Sequence, residues 1–541
     1  MNHESVRTRT TSMHRSSNPA ARSSNPAARS SDPAPARRGR PLRLPIGLAT
    51  DPCADDEARE ASRGRRFGVI GAGLVSAAIA AAITAPAGAM QPQSADDPEL
   101  AGAGDVADVA ELIPSAASGI PPILPGQEAG ARQKPKPAGD AAATGDAPRE
   151  WFGGAPWWEW STMTGDWAGA RTGLSEAGID FAGSAVTEWS DVFSGGEADR
   201  SAFRFLLDLN ATFDLGVLAG LEGGSVFIDF QTGDTGVGAQ FHGGFQAYSN
   251  IAIEGSITQV SQLWYEQWLF DELLRVKVGK VDANAEFAAI APAAGFINAS
   301  AGFSPAIFAL PTYPNPATSV NLFAYPCDEF YAGAGFYDGA TAVDGVPTGS
   351  RGPAGFFNDD DSDDWFGIAE AGLLFDTVGP MNSVRIAVGG WWHSGEFTRW
   401  DGGIEDGTAG FYALAEGRFW TPAGVDLADD EDGRGLWGFL QYGAANEDVS
   451  SVAQQFGGGV SLTGTLPGRD ADSAGVYLSL VDFSGDPGAG FTDDEFAIEF
   501  FYDIEVTPWF HVKPDIQWFQ NPGGGATEDA LVGTLRCIIT F

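Results

Sequence analysis

In the last 47 residues of the chain, apolar and polar positions alternate almost without interruption. Over 495–506 the apolar positions are Phe496, Ile498, Phe500, Tyr502, Ile504 and Val506, with Glu495, Glu499, Asp503 and Glu505 between them. Thr507-Pro508 makes a tight turn. The next run sets Phe510, Val512, Ile516 and Trp518 against His511, Lys513, Asp515 and Gln517. After Asn521-Pro522 and three glycines, Leu531, Leu535, Cys537, Ile539 and the terminal Phe541 share one face, opposite Thr534, Arg536 and Thr540. A period of two is the strand period. The polar face of a soluble sandwich meets bulk water and has no need of matched acids and bases. Strands of about ten residues, apolar on one face, charged on the other and carrying aromatics at their ends, describe an outer-membrane barrel.

The same pattern extends back along the chain. It predicts strands near 179–192, 201–215, 224–232, 258–270, 273–281, 317–327, 330–340, 365–376, 383–393, 410–420, 436–446, 455–465, 475–483, 495–506, 509–520 and 529–541. The fold class is therefore all-β: a transmembrane antiparallel barrel of about 16 strands. With both termini on the periplasmic side, the connections at 376–382, 466–474 and 507–508 fall there and are short. Those at 282–316, 341–364, 394–409 and 484–494 fall outside and are longer. Two features resist this scheme. Residues 421–435 are long for a periplasmic turn, and strand four (258–270) is apolar on both faces and cannot be oriented.

Upstream the pattern disappears. Residues 1–62 are Arg, Ser, Pro and Ala with a repeated heptad, SSNPAAR, and cannot bury a core; they read as a disordered leader or a mis-assigned start. Residues 63–89 read as a secretory signal: RGRR, then a small-residue apolar run, then Ala87-Gly88-Ala89 as a cleavage site. Residues 90–150 read as a Pro/Ala/Gly-rich periplasmic linker, and 151–541 as the barrel domain.

Several stretches also resemble a known family. FYDIEVTPWFHVKPDIQWFQNPGG (501–524) and DALVGTLRCIITF (529–541) look like the C-terminus of the carbohydrate-selective, OprB-like porins. Thr164-Gly165-Asp166-Trp167 with Arg171, VGKVDANAEFA (278–288), GFYALAEGRFW (410–420) and GTLPGRDADSAGVYLSLVDFS (464–484) are similar to further signatures of that family. The resemblance covers about 160–541. It implies passive diffusion of mono- and small oligosaccharides across a bacterial outer membrane, with outer-membrane lipid around the barrel and Phe541 as the assembly signal read by the barrel-insertion machinery. It implies no cofactor and leaves oligomerisation open.

Composition narrows these readings. Hydrophobic residues make up 43% and mean hydropathy is −0.09, which a barrel with half-polar strands accommodates. Removing the 13 Arg and 7 acidic residues of 1–89 leaves 18 cations against 65 acids, a net −47. That argues against nucleic acid as a partner and against a strongly anion-attracting pore. Of Cys53, Cys327 and Cys537, two follow the signal, but Cys537 should face lipid, which disfavours a disulfide between them.

Alternation also assigns the candidate substrate path. Arg204, Arg275, Lys277, Arg385, Arg418, Lys513 and Arg536 fall on inward positions, with Asp208, Glu416, Glu499, Asp503 and Asp515. Lys280, Asp282 and Asn284 join them at the start of connection 282–316, whose length and five prolines suit either a segment folded into the lumen or an external lid over the rim. Arg and carboxylate groups offer sugars directional donors and acceptors, and aromatic faces stack on sugar rings; Trp391, Tyr412 and Trp420 are candidates. Mixed inward charge also occurs in unselective porins, so an unselective or cation-preferring general diffusion porin stays open, as does a structural or adhesin barrel without transport. Trp157, Trp158, Trp160, Trp391, Trp392 and Trp400 could serve as sugar platforms, though tryptophans at strand ends usually form the interfacial belt. Arg469 lies in a turn and reads as structural. Asp359, Asp361, Asp363 and Glu370 imitate a Ca²⁺ loop, but Asp364 stands where that loop needs Gly, so no metal site is expected. His242, His393 and His511 lie in no hydrolase motif, and no enzyme is expected.

Overall fold

A computed structural model describes residues 149–541, apart from 235–237, 239–240, 253–254, 340–341, 344–345, 348–363 and 424–432. The leader, the signal with Ala87 and Ala89, nearly all of the linker and residues 359–363 of the acidic run lie outside the described residues.

The chain forms one closed antiparallel barrel of sixteen strands. They are β1 (Ile179–Ser194), β2 (Ser201–Asp214), β3 (Gly224–Asp234), β4 (Ser256–Leu269), β5 (Leu274–Val281), β6 (Ala317–Cys327), β7 (Phe330–Asp338) and β8 (Trp365–Val378), followed by β9 (Met381–Thr398), β10 (Ile404–Trp420), β11 (Gly435–Ala445), β12 (Val452–Thr463), β13 (Ser473–Phe483), β14 (Glu495–Thr507), β15 (Phe510–Gln520) and β16 (Ala530–Thr540). Each pairs with its sequence neighbours, and β16 closes on β1 with Glu188 opposite Arg536. A two-residue hairpin (Ala342–Val343 with Val346–Pro347) stands apart from this sheet.

Closure sends alternate side chains to opposite environments. The outward positions hold Phe203, Val388, Phe411, Leu440 and Phe456, all more than half exposed. Their inward neighbours include Arg204 at 0% and Arg536 at 2% exposure. The molecule is thus apolar outside and charged inside. That arrangement suits a hydrocarbon surround, where each outward charge at mid-depth would cost about 2–4 kcal/mol. Cys537 is a free thiol on the outward side of β16, paired across the seam with Thr187.

The connection after Trp420 stays long, since the next strand begins at Gly435, whereas the double apolar face of β4 has a local cause. In β4 the register with β3 shifts between Asp229 and Phe230, so an extra residue enters the strand. Beyond it Trp264 and Trp268 are turned inward, which is why β4 is apolar on both faces: Lys277 Nζ sits 4.0 Å over the Trp264 ring, and Arg275 lies 5.8 Å from that of Trp268. A second bulge lies between Arg418 and Trp420. It sets Trp420 opposite Leu436 on the outer face, where it is nearly half exposed, so Trp420 is not a lumen aromatic as the alternation implied. The connection expected at 394–409 shortens to 399–403, because β9 and β10 run 18 and 17 residues and rise past their neighbours.

The segment before β1 stays at the end of the barrel where the chain terminates. Helix α1 (Ala170–Glu176) lies against β1. Arg171 donates to the carbonyls of Phe181 (2.6 Å) and Phe541 (2.9 Å). Met163 N–H donates to Thr540 O, and the Trp509 indole N–H to Trp157 O. These bonds hold the segment across the β1–β16 seam. Arg469, in the connection from β12 to β13, grips Asp472 with two hydrogen bonds and donates a third to Glu505 O. Its role is structural, as its place in a turn suggests.

Candidate functional site

Connection 282–316 lies inside the barrel, between β5 and β6. It contains no regular alternation, so its backbone amides and carbonyls find no sheet ladder and must be satisfied by the wall. The wall supplies carboxylates. Glu370 on β8 accepts from Ala288 N–H (2.9 Å), Glu416 on β10 from Ala291 N–H (2.9 Å), and Glu499 on β14 from both Ile297 (2.6 Å) and Asn298 (3.0 Å). Donors from the wall meet the loop carbonyls: Arg385 donates to Ala289 O, Lys513 to Gly295 O (2.8 Å), and Tyr477 to Ser300 O (2.7 Å). The segment thus runs from β10 across to β15 and back along β14 and β13. Asp282 closes its base, accepting from Asn284 N–H, Thr312 Oγ1 and Tyr313 N–H. Apolar side chains then fill behind it. Phe287, Phe296, Ile297, Ala306 and Ile307 are all almost fully buried. Glycines on the wall make room: a Cβ at Gly475 would lie 2.6 Å from the Phe296 ring, and one at Gly389 would lie 2.1 Å from the Tyr412 ring.

A second inserted segment, 241–252 between β3 and β4, was not singled out by the sequence. Glu495 at the start of β14 accepts from Phe245 N–H (2.7 Å), Gln246 N–H (2.8 Å) and Gly523 N–H (2.7 Å). Gln517 donates to Tyr248 O, and Arg536 to Asn250 Oδ1 (2.8 Å). The two segments are bonded together through Asn250 N–H to Ile297 O and Ala299 N–H to Ala247 O.

Every inward position assigned by alternation on β2, β9, β14, β15 and β16 is indeed inward. The structure brings six of the predicted cations into four ion-paired clusters. Glu188, which the sequence reading passed over, bridges Arg204 (3.0 Å) and Arg536 (2.6 Å) across the closing seam. Lys513 pairs with Asp503 at 3.2 Å. Arg385 pairs with Glu416 at 2.6 Å. Arg275 and Lys277 pair with Glu266 and with Glu286 of the loop. Arg418 lies 4.7 Å over the Trp437 ring. Lys280 donates to Val260 O (2.9 Å). Asp208 accepts from Gln231 (2.9 Å) and Asn210, and Asp515 accepts from Gln517 (3.0 Å). Asn284 is buried and donates to Phe287 O. Trp391 and Tyr412 are buried at the wall, Tyr412 donating to Glu370 (2.8 Å).

Arg204, Lys513 and Arg536 are therefore taken up by carboxylates and by the inserted segments, each no more than 2% exposed. The groups the sequence reading missed are the acceptors: Glu188, Glu286, Glu370 and Glu495. Alternation already placed Glu495 opposite Phe496. What it lacked was any reason to distinguish a carboxylate that faces water from one that receives a loop. The fully exposed residues of the main inserted segment are all small and lie along one edge. Ala285, Ala291 and Ala294 are exposed, with Ala289, Pro292 and Gly295 partly so.

A family model described as "Carbohydrate-selective porin, OprB family" matches residues 206–541. Among curated proteins none matches the chain. Among solved structures, Pseudomonas putida OprB in its high-pH form is similar at 19% identity with a TM-score of 0.62, over 71% of this chain and 99% of that one. The low-pH form of the same protein aligns at 17% identity with a TM-score of 0.47 over the same shares. A mutant porin of Rh. blastica aligns at 11% identity and a TM-score of 0.41, over 67% of this chain and 100% of that one.

Proposed function

Since the chain belongs to the OprB family of carbohydrate-selective porins, we propose that it lets mono- and small oligosaccharides diffuse passively through the barrel, past the edge of segment 282–316. The family and the barrel fold imply an outer-membrane location. The observation that carries the permeation reading is the loop itself. A segment held at Glu370, Glu416 and Glu499 and backed by buried aromatics is rigid enough to fix a size limit. Its accessible edge is Ala, Pro and Gly, which can pass close to a sugar without a charged group to displace.

Arg204, Lys513 and Arg536 support this reading at one remove. We assign them to holding the two segments in place, since their donors already end on Glu188, Tyr248, Asn250, Asp503 and Gly295. A polar sugar track would then draw on side chains that keep some exposure, such as Glu266, Glu416 and His511.

Liposome swelling with sugars of rising size tests the proposal. A sugar porin admits monosaccharides readily and slows sharply at a defined oligosaccharide length. Equal swelling for all small solutes of matched size would return the protein to a general diffusion porin. No swelling at all would leave a structural barrel.

A further inference from the structure

Resting on that reading, we propose that the pore admits neutral sugars and rejects anionic ones, namely sugar acids and sugar phosphates, because an acidic mouth precedes a constriction that presents no accessible cation.

The inference starts at the end of the barrel opposite the termini. There the connections carry exposed acids, among them Glu197, Asp199, Glu447, Asp493, Asp494 and Glu528. The cations at that end, among the described residues, are Arg200 and Arg399. Arg399 is already shared between Asp401 (3.3 Å), Glu405 (2.7 Å) and Asp448 (2.9 Å). A rim of one sign over a low-dielectric wall focuses its field into the opening and lowers the local concentration of like-charged solutes.

The lumen offers an anion nothing in return. Eight described cations point into it or line its wall: Arg204, Arg275, Lys277, Lys280, Arg385, Arg418, Lys513 and Arg536. Six of them are in ion pairs with carboxylates at 3.2 Å or less. Lys280 is buried against Val260 O, and Arg418 is buried over Trp437. Arg275 keeps the largest side-chain exposure among the six, at 14%, and it faces both Glu266 and Glu286. Recruiting any of the six paired cations to a passing carboxylate or phosphate would strip a buried carboxylate of its partner, which is costly. An uncharged sugar needs no such exchange. It meets the Ala285, Ala291 and Ala294 edge and whatever half-exposed acceptors lie across from it.

The experiment compares glucose with glucuronate in proteoliposomes carrying the full barrel, at about 10 mM and at about 500 mM salt, where the Debye length falls from about 30 Å to a few ångströms. The two solutes share a ring and differ in one carboxylate. At low salt glucuronate should enter at least about tenfold more slowly than glucose, and added salt should narrow the gap. Ala294→Arg, which places a cation on the exposed loop edge, should raise the glucuronate-to-glucose ratio at low salt. Where that variant does not assemble, the reversal potential of the natural barrel in a KCl gradient serves instead, and it should show preference for K⁺. Glucuronate entering as fast as glucose at low salt, or a preference for Cl⁻, overturns the inference. Failure of glucose itself to enter would sink the sugar-porin reading instead, so the two failures are distinguishable.

Discussion

The outward and inward faces of the same strands obey different rules. On β14 the outward residues Phe496, Ile498 and Phe500 meet one environment, so any large apolar residue serves. The inward residues Glu495, Glu499 and Asp503 have three different jobs. Glu495 receives segment 241–252 together with Gly523, Glu499 receives segment 282–316, and Asp503 is bonded by His511 and Lys513. A face that meets a uniform medium is encoded by a period. A face that meets other chain segments is encoded by individual partners, and its residues cannot be exchanged.

Mutations that cross this divide test it. The largest stability effect should come from Glu188→Ala, which leaves Arg204 and Arg536 buried without their shared carboxylate. Removing one partner of a buried pair costs about 3–5 kcal/mol, so urea-induced unfolding of the barrel from lipid vesicles should shift to clearly lower denaturant. An unchanged midpoint would mean that the two arginines find other acceptors and that inward residues are more exchangeable than argued here. On the outward face, Leu440→Arg should cost about 2–4 kcal/mol in the same assay if Leu440 sits near mid-depth, whereas Leu440→Phe should be nearly neutral. Equal tolerance of both would contradict the uniform apolar surround.

The smallest effect concerns a group beyond the strands. Burial pushes the Asp472 carboxyl up, but hydrogen bonds from Arg469, Tyr502 and the Glu505 N–H outweigh it and hold the group below the usual carboxylate range. A depressed folded value means that the ionised form is the stabilising one. Its contribution is complete above the ordinary Asp value of about 4 and is lost as pH falls through the lower folded value. Barrel stability should therefore decline in that acid range with a component absent from Asp472→Asn, as read by unfolding midpoints at stepped pH. Identical pH profiles for the two proteins would remove Asp472 from the account.

The sequence was legible where one period governed. Sixteen strands, their parity, and the inward placement of Arg204, Arg385, Lys513 and Arg536 all followed from alternation. It failed at two single-residue insertions, beside Asp229 and Trp420, because a bulge changes a side chain's face without changing composition. It was also silent about segment 241–252. Such a segment is specified by backbone groups docking on Glu495 and Gln517, more than 240 residues away, and no local pattern records that contact. The length and prolines of 282–316 allowed an inward fold, and the segment lies there. The consequence drawn from its charges was incomplete, since the cations were read as facing a permeant when most of them face carboxylates.

The central claim is that segment 282–316, clamped by wall carboxylates, sets the width of the path. Single-channel recording in planar bilayers of a variant lacking 292–311 tests it most directly. The account predicts a barrel that still assembles, conducts severalfold more current per channel and passes longer oligosaccharides than the natural protein. Conductance and sugar size limit that both stay at natural values, in a barrel that has assembled, would contradict it.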